Sequence, residues 1–190
     1  MSFEEKANIL IPRYLELFWP STCIWKILWV EFSGEEVPFI RHTKDDRKKV
    51  DIILTKESES YEYQQNYQFF HELLHVISIK ERKEDTTFLE EWIATYCSMI
   101  WFKYIFPENN SYLTAAKEYN NNLNNKYWLA FKAVYKILAQ YPNCIKNIRQ
   151  EKYAKWENSD ISLITKKELI TQINWEFETQ VDTLIQKFYQ

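Results

Sequence analysis

His71 and His75 stand four residues apart in the run Tyr67-Gln68-Phe69-Phe70-His71-Glu72-Leu73-Leu74-His75-Val76-Ile77. On a helix that spacing puts both imidazoles on one face, a turn apart, where they can share a metal ion. Glu72 lies off that face, yet close enough to the metal's open position to take a proton from a water there. The chain has three histidines, and this pentad uses two of them. The residue types and their spacing point to hydrolysis by metal-activated water, with zinc as the metal and Glu72 as general base.

Hydrolytic zinc sites usually have three protein ligands and keep a fourth position for water. One source of a third histidine, the pattern His-Glu-x-x-His-x-x-Gly-x-x-His, is closed here. Ser78 occupies the glycine position and Glu81 the final histidine position, which excludes a metzincin. Downstream, Phe88-Leu89-Glu90-Glu91-Trp92-Ile93-Ala94-Thr95-Tyr96 offers two carboxylates. The charged break Lys80-Glu81-Arg82-Lys83-Glu84-Asp85 separates two helical runs that should pack as an antiparallel hairpin. Residues equidistant from the centre of such a hairpin lie side by side. His75 is eight residues before Lys83 and Glu91 is eight after it. Glu91 is therefore the favoured third ligand. Glu90 is the alternative, displaced about 100° around the helix. Glu90 also has a structural use on offer, because Thr87-Phe88-Leu89-Glu90 fits a capping box.

With that third position, residues 49–105 resemble the gluzincin metallopeptidases, which carry His-Glu-x-x-His on one helix and a ligand glutamate on the next. Glu91-Trp92-Ile93-Ala94 looks like the Glu-x-x-Ala start of the second helix in small members, the minigluzincins and the ImmA/IrrE-like peptidases. Thr95, Tyr96 and Cys97 depart from the longer ImmA/IrrE-like pattern Glu-x-x-Ala-Asn-x-Phe-Ala, and Leu74 stands where glycine is preferred. The resemblance implies a zincin-like α+β fold, with a small, mainly antiparallel sheet on the His-Glu-x-x-His helix. It also implies an edge strand for an extended peptide, for which Val50–Leu54 is the expected segment. An oxyanion donor is expected beside the metal, with Tyr104, Tyr112, Tyr119 and Tyr127 as candidates, each also readable as packing. A transcriptional repressor is the substrate class that the ImmA/IrrE likeness suggests.

Those residues need a scaffold. Ser2-Phe3-Glu4-Glu5 reads as a capping box opening a first helix, which Pro12 would end or interrupt. β-Branched and aromatic residues predict strands over 22–32, 37–43 and 49–55. Ser33-Gly34-Glu35-Glu36 and Lys44-Asp45-Asp46-Arg47 form the turns between them, and the short links favour an antiparallel meander. Past residue 58 the pattern turns helical. The metal helix runs to about Ile79 and a second helix covers Thr87–Phe106. Further helices cover Ser111–Asn125, Lys126–Gln140, Ile145–Trp156 and Asn174–Tyr189, and Thr165-Lys166-Lys167-Glu168 is another capping box. The expectation is one domain over residues 1–190, β-rich at 20–56, with the metal helices at 60–106 and a helical part at 111–190.

Composition narrows the function classes. A net charge of -3 with scattered basic residues gives no nucleic-acid footprint. No apolar run reaches the ~20 residues of a membrane span, and the N-terminus lacks a signal-peptide layout. Cys23, Cys97 and Cys144 are too few and too far apart for a disulfide framework, so the default compartment is the cytoplasm. Aromatics at 17% read first as core, His42 as a surface or half-buried imidazole, and Cys97 as a small core residue. The expected partners are a peptide or protein substrate and a regulatory protein that restrains the activity. The rival reading is a zinc-containing interaction module without turnover, such as a toxin–antitoxin or phage-response component. An intact Glu72 speaks against it, since a structural zinc needs no base.

Overall fold

A computed structural model describes residues 2–18, 26–42, 49–77, 86–110, 114, 125–155, 160–173 and 175–186. Among the described residues it is α+β, with seven α-helices and one mixed three-stranded sheet. The first helix, α1 (Phe3–Phe18), opens on the expected cap: Glu5 N–H donates to Ser2 Oγ and Ser2 N–H to Glu5 Oε2. Pro12 neither ends nor splits α1. An interior proline costs ~3 kcal/mol, whereas burying a large apolar side chain returns roughly 1.5–3 kcal/mol. Leu10, Tyr14 and Phe18 are all buried on the core side, so packing wins.

The strands are β1 (Lys26–Ser33), β2 (Phe39–His42) and β3 (Lys49–Thr55), in the order β1-β3-β2. β1 runs parallel to β3, and β2 antiparallel to it. The mainly antiparallel meander is thus corrected. Ser33 sits opposite Thr55 and Phe39 opposite Ile53, so residues 34–38 step across the end of β3 to its far side. The reason lies in β3 itself. Val50, Ile52, Ile53 and Leu54 are buried whichever face they point to, and a strand apolar on both faces belongs in the middle. The Arg41 guanidinium on β2 donates to Asp51 on β3, 2.9 Å away, and to Glu31 on β1, which fixes the order from the polar side. Because β3 is central, Val50–Leu54 is not an edge strand. The edge that touches the next helix is β2.

From β3 the chain turns through a 3-10 segment, Lys56–Ser60, into α2 (Glu62–Ile77). Gln68 clips the end of β3 to α2: its Nε2 donates to Thr55 Oγ1 at 2.9 Å and its Oε1 accepts from Thr55 N at 3.2 Å. The second long helix is α3 (Phe88–Ile105), with Thr87 as N-cap accepting from Glu90 N–H. Tyr14 ties α1 to both. Its hydroxyl donates to Phe70 O of α2 at 2.9 Å, and its ring meets Trp101 of α3 edge-on at 5.9 Å.

The last third supplies α4 (Asn125–Gln140), α5 (Cys144–Ala154), α6 (Lys166–Gln172) and α7 (Glu178–Leu184). Thr165 and Glu168 form the predicted capping box of α6. The expected terminal helix splits into a 3-10 turn, Trp175–Phe177, and the shorter α7. Phe88 N–H donates to Gln186 O, so the segment after α7 anchors the start of α3. Apart from Thr114 and Asn125, the expected helix over Ser111–Asn125 lies outside the described residues, as do the break at Lys80–Asp85 and the start of the first strand. Among the described residues no helix is long and apolar enough to cross a membrane.

Tyr14→Phe removes one buried hydroxyl without a change of shape. It should cost about 1 kcal/mol in chemical denaturation, whereas Leu10→Ala should cost ~2–5 kcal/mol. Equal, near-zero losses in both would show that α1 is not part of the cooperative core.

Candidate metal centre

Antiparallel packing of α2 on α3 follows the symmetry expected about residue 83. At the end nearer that centre Glu91 reaches both histidines, and at the far end Tyr63 and Phe102 meet edge-on at 5.8 Å. Glu91, Thr95, Ser98 and Phe102 recur at helical spacing on one face of α3, and all four are buried.

His71, His75 and Glu91 converge so that one ligand atom from each lies within 4.8 Å of the others. His71 Nε2 and His75 Nε2 are 3.2 Å apart. Glu91 turns one oxygen to each imidazole, 3.3 Å from His71 Nε2 and 3.6 Å from His75 Nε2. Tetrahedral zinc with bonds of ~2.0–2.1 Å holds its ligand atoms ~3.3–3.4 Å apart, close to the 3.2 Å between the two imidazole nitrogens and the 3.3 Å between His71 Nε2 and Glu91 Oε2. Two neutral imidazoles and a carboxylate are also the donor types that zinc takes. The residues present therefore fit the ion.

Glu72 is buried on α2 at the foot of this group, and its charge is felt at His75. Glu90 is fully buried and does not join the three. Its Oε1 lies 2.8 Å from His75 Nδ1, on the opposite side of the ring. Of the two adjacent carboxylates, Glu91 is the one brought to the histidine pair. The capping-box reading of Glu90 holds for its backbone, which donates to Thr87 Oγ1, while its carboxylate is used on His75. Sequence reasoning missed that use. The signal was present as two successive glutamates, one for each side of an imidazole.

Burial is the largest influence on His75 and opposes its charge. Glu91, the Glu90 hydrogen bond, and the charges of Glu90 and Glu72 together outweigh it and push the pKa up to about 9. Cys97 is buried with its thiol pushed well above the usual range, in keeping with a core residue, and Cys144 is likewise buried. Tyr104 lies on α3 roughly 20 Å along the axis from Glu91 and points into solvent, so it is not placed to serve the site. Tyr112 and Tyr119 lie outside the described residues, as do the side chains of Tyr127 and His42. The backbone of His42 pairs with Val50 at the end of β2. Comparison of the chain with family models, with curated proteins and with solved structures gave no match.

The raised His75 pKa fixes the sign of a pH effect in metal-free protein. A group that binds its proton more tightly when folded contributes fully below its unfolded value, 6.5, and loses that contribution as pH rises through about 9. Chelator-treated protein should therefore be less stable at pH ~10 than at pH ~6 by about 1–3 kcal/mol more than a His75→Gln variant. Equal pH dependence in the two proteins would contradict the assignment.

Proposed function

We propose that this protein is a zinc-dependent metallopeptidase of gluzincin type, with a zincin-like arrangement of α2, α3 and the sheet. The observation that carries the reading is the convergence of His71, His75 and Glu91, one ligand atom from each within 4.8 Å of the others, beside a buried Glu72. Charge supports it as well. Glu72, Glu90 and Glu91 are all buried around two imidazoles, and burying carboxylates is costly unless positive charge accompanies them.

His71, His75 and Glu91 would hold zinc, which when bound supplies a Lewis acid that makes water acidic and polarises a carbonyl. Glu72 takes the proton of the attacking water and delivers it to the departing amine. Placing this carboxylate next to a ligand histidine on the same helix fixes its distance from the reacting water without a mobile loop. Burial keeps its surroundings poor in water, where a proton transfer is not short-circuited by solvent. An extended peptide would pair with β2, the edge strand beside α2, using backbone hydrogen bonds. Narrow specificity, or a restraining partner, is what such an activity requires inside a cell.

Glu72→Gln keeps shape and removes the base. It should leave fold and zinc content unchanged and lower hydrolysis by ~10²–10⁴-fold. A proteomic comparison of cells making the wild type and Glu72→Gln should show one or a few proteins cleaved only by the wild type. A variant that keeps the full biological effect would mean that the protein acts by binding, as an interaction module in a toxin–antitoxin or phage-response pair. His75→Ala should lose zinc by elemental analysis, and retention of equal zinc would remove the metal centre from the account.

A further inference from the structure

His75 is gripped from both sides. Its Nε2 faces His71 and Glu91, and its Nδ1 lies 2.8 Å from Glu90 Oε1. Glu90 is fully buried at the start of α3, where the helix N-terminus favours a negative charge, and its backbone is pinned by the Thr87 cap. A buried carboxylate at that place costs more than the isosteric amide or an apolar residue, so its chemistry calls for a use. An imidazole coordinates through one nitrogen only when the other carries the proton, and the group that accepts that proton's hydrogen bond also sets the ring's orientation.

We propose that Glu90 is a positioning residue: its carboxylate accepts the Nδ1–H of His75, locking the tautomer and ring angle that present Nε2 to the metal, while Glu91 alone is the carboxylate ligand. This rests on the metal-centre reading above. It assigns the two adjacent glutamates different tasks through one ring, Glu91 on the metal side and Glu90 behind it. It also makes His75 the fixed half of the site. His71, at 17% side-chain exposure, is the most open of the three.

The test uses the full chain with Zn²⁺ alone as probe. Affinity is measured by competition with a chromophoric chelator, and the His75 Nδ1 proton is followed by nitrogen-15-edited NMR of the zinc-loaded protein. Glu90→Ala should weaken zinc ~10–100-fold and expose the Nδ1 proton to exchange, so that its signal is lost. Glu90→Gln keeps an oxygen acceptor. It should bind within roughly fivefold of wild type, with the Nδ1 signal present but moved upfield, because a neutral acceptor makes a weaker hydrogen bond. Glu91→Gln should weaken zinc more than either. Wild-type affinity and an unmoved Nδ1 signal in both Glu90 variants would overturn the positioning role and leave the metal centre standing. A loss in Glu90→Gln as large as in Glu91→Gln would make Glu90 a ligand, and also overturn it. A wild type that takes up no zinc would overturn the metal centre itself. Should Glu90→Ala fail to fold, Glu90→Gln and its Nδ1 signal still decide.

Discussion

Everything proposed for this protein depends on the register between α2 and α3. A slip of one residue along α3 would turn Glu91 about 100° away from the histidines and bring a different side chain against them. Contacts at both ends and in the middle hold the register. Tyr63 against Phe102 sets it at the far end. Tyr14 bridges the middle, bonded to the Phe70 carbonyl on one helix and packed on Trp101 of the other. Thr87 and the Phe88–Gln186 backbone bond fix where α3 begins. The sheet contributes through Gln68, one turn before His71, which ties α2 to the end of β3.

The same register explains how three acidic side chains come to be buried together. Glu72 rides on α2 next to His71, while Glu90 and Glu91 arrive from α3 on either side of His75. Without a metal, the proton on His75 balances part of this charge, which is why its pKa stands near 9. A dication in the same place would displace that proton, so zinc binding and proton release would be linked, and affinity would rise with pH across that range.

How much of this could be read in the sequence depended on the range of the interaction. The histidine pair and Glu72 follow from helical spacing, and Glu91 from hairpin symmetry about Lys83, so the four come from local geometry plus one assumption about packing. The caps at Ser2 and Thr165 were equally local. The sheet order was not. Strand spacing is compatible with a meander, and the order turns on burial of both faces of β3 and on the Arg41–Asp51 pair, neither of which short links reveal. The uninterrupted apolar run Ile52-Ile53-Leu54 was the clue to a central strand. Pro12 does not end α1 because the packing of Tyr14 and Phe18, invisible to local spacing, outweighs its cost. At Glu90 the local cap accounts for the backbone alone, and the side chain's partner, His75, lies on another helix. The gluzincin proposal rests on the motif and its geometry alone.

The most direct measurement is X-ray absorption at the zinc edge on the purified, zinc-loaded chain. The account predicts one zinc per chain with only nitrogen and oxygen neighbours at ~2.0–2.2 Å, and outer-shell scattering from two imidazoles that falls to one in His71→Ala. A sulfur neighbour at ~2.3 Å, or a spectrum unchanged in His71→Ala, would place the metal elsewhere and contradict it.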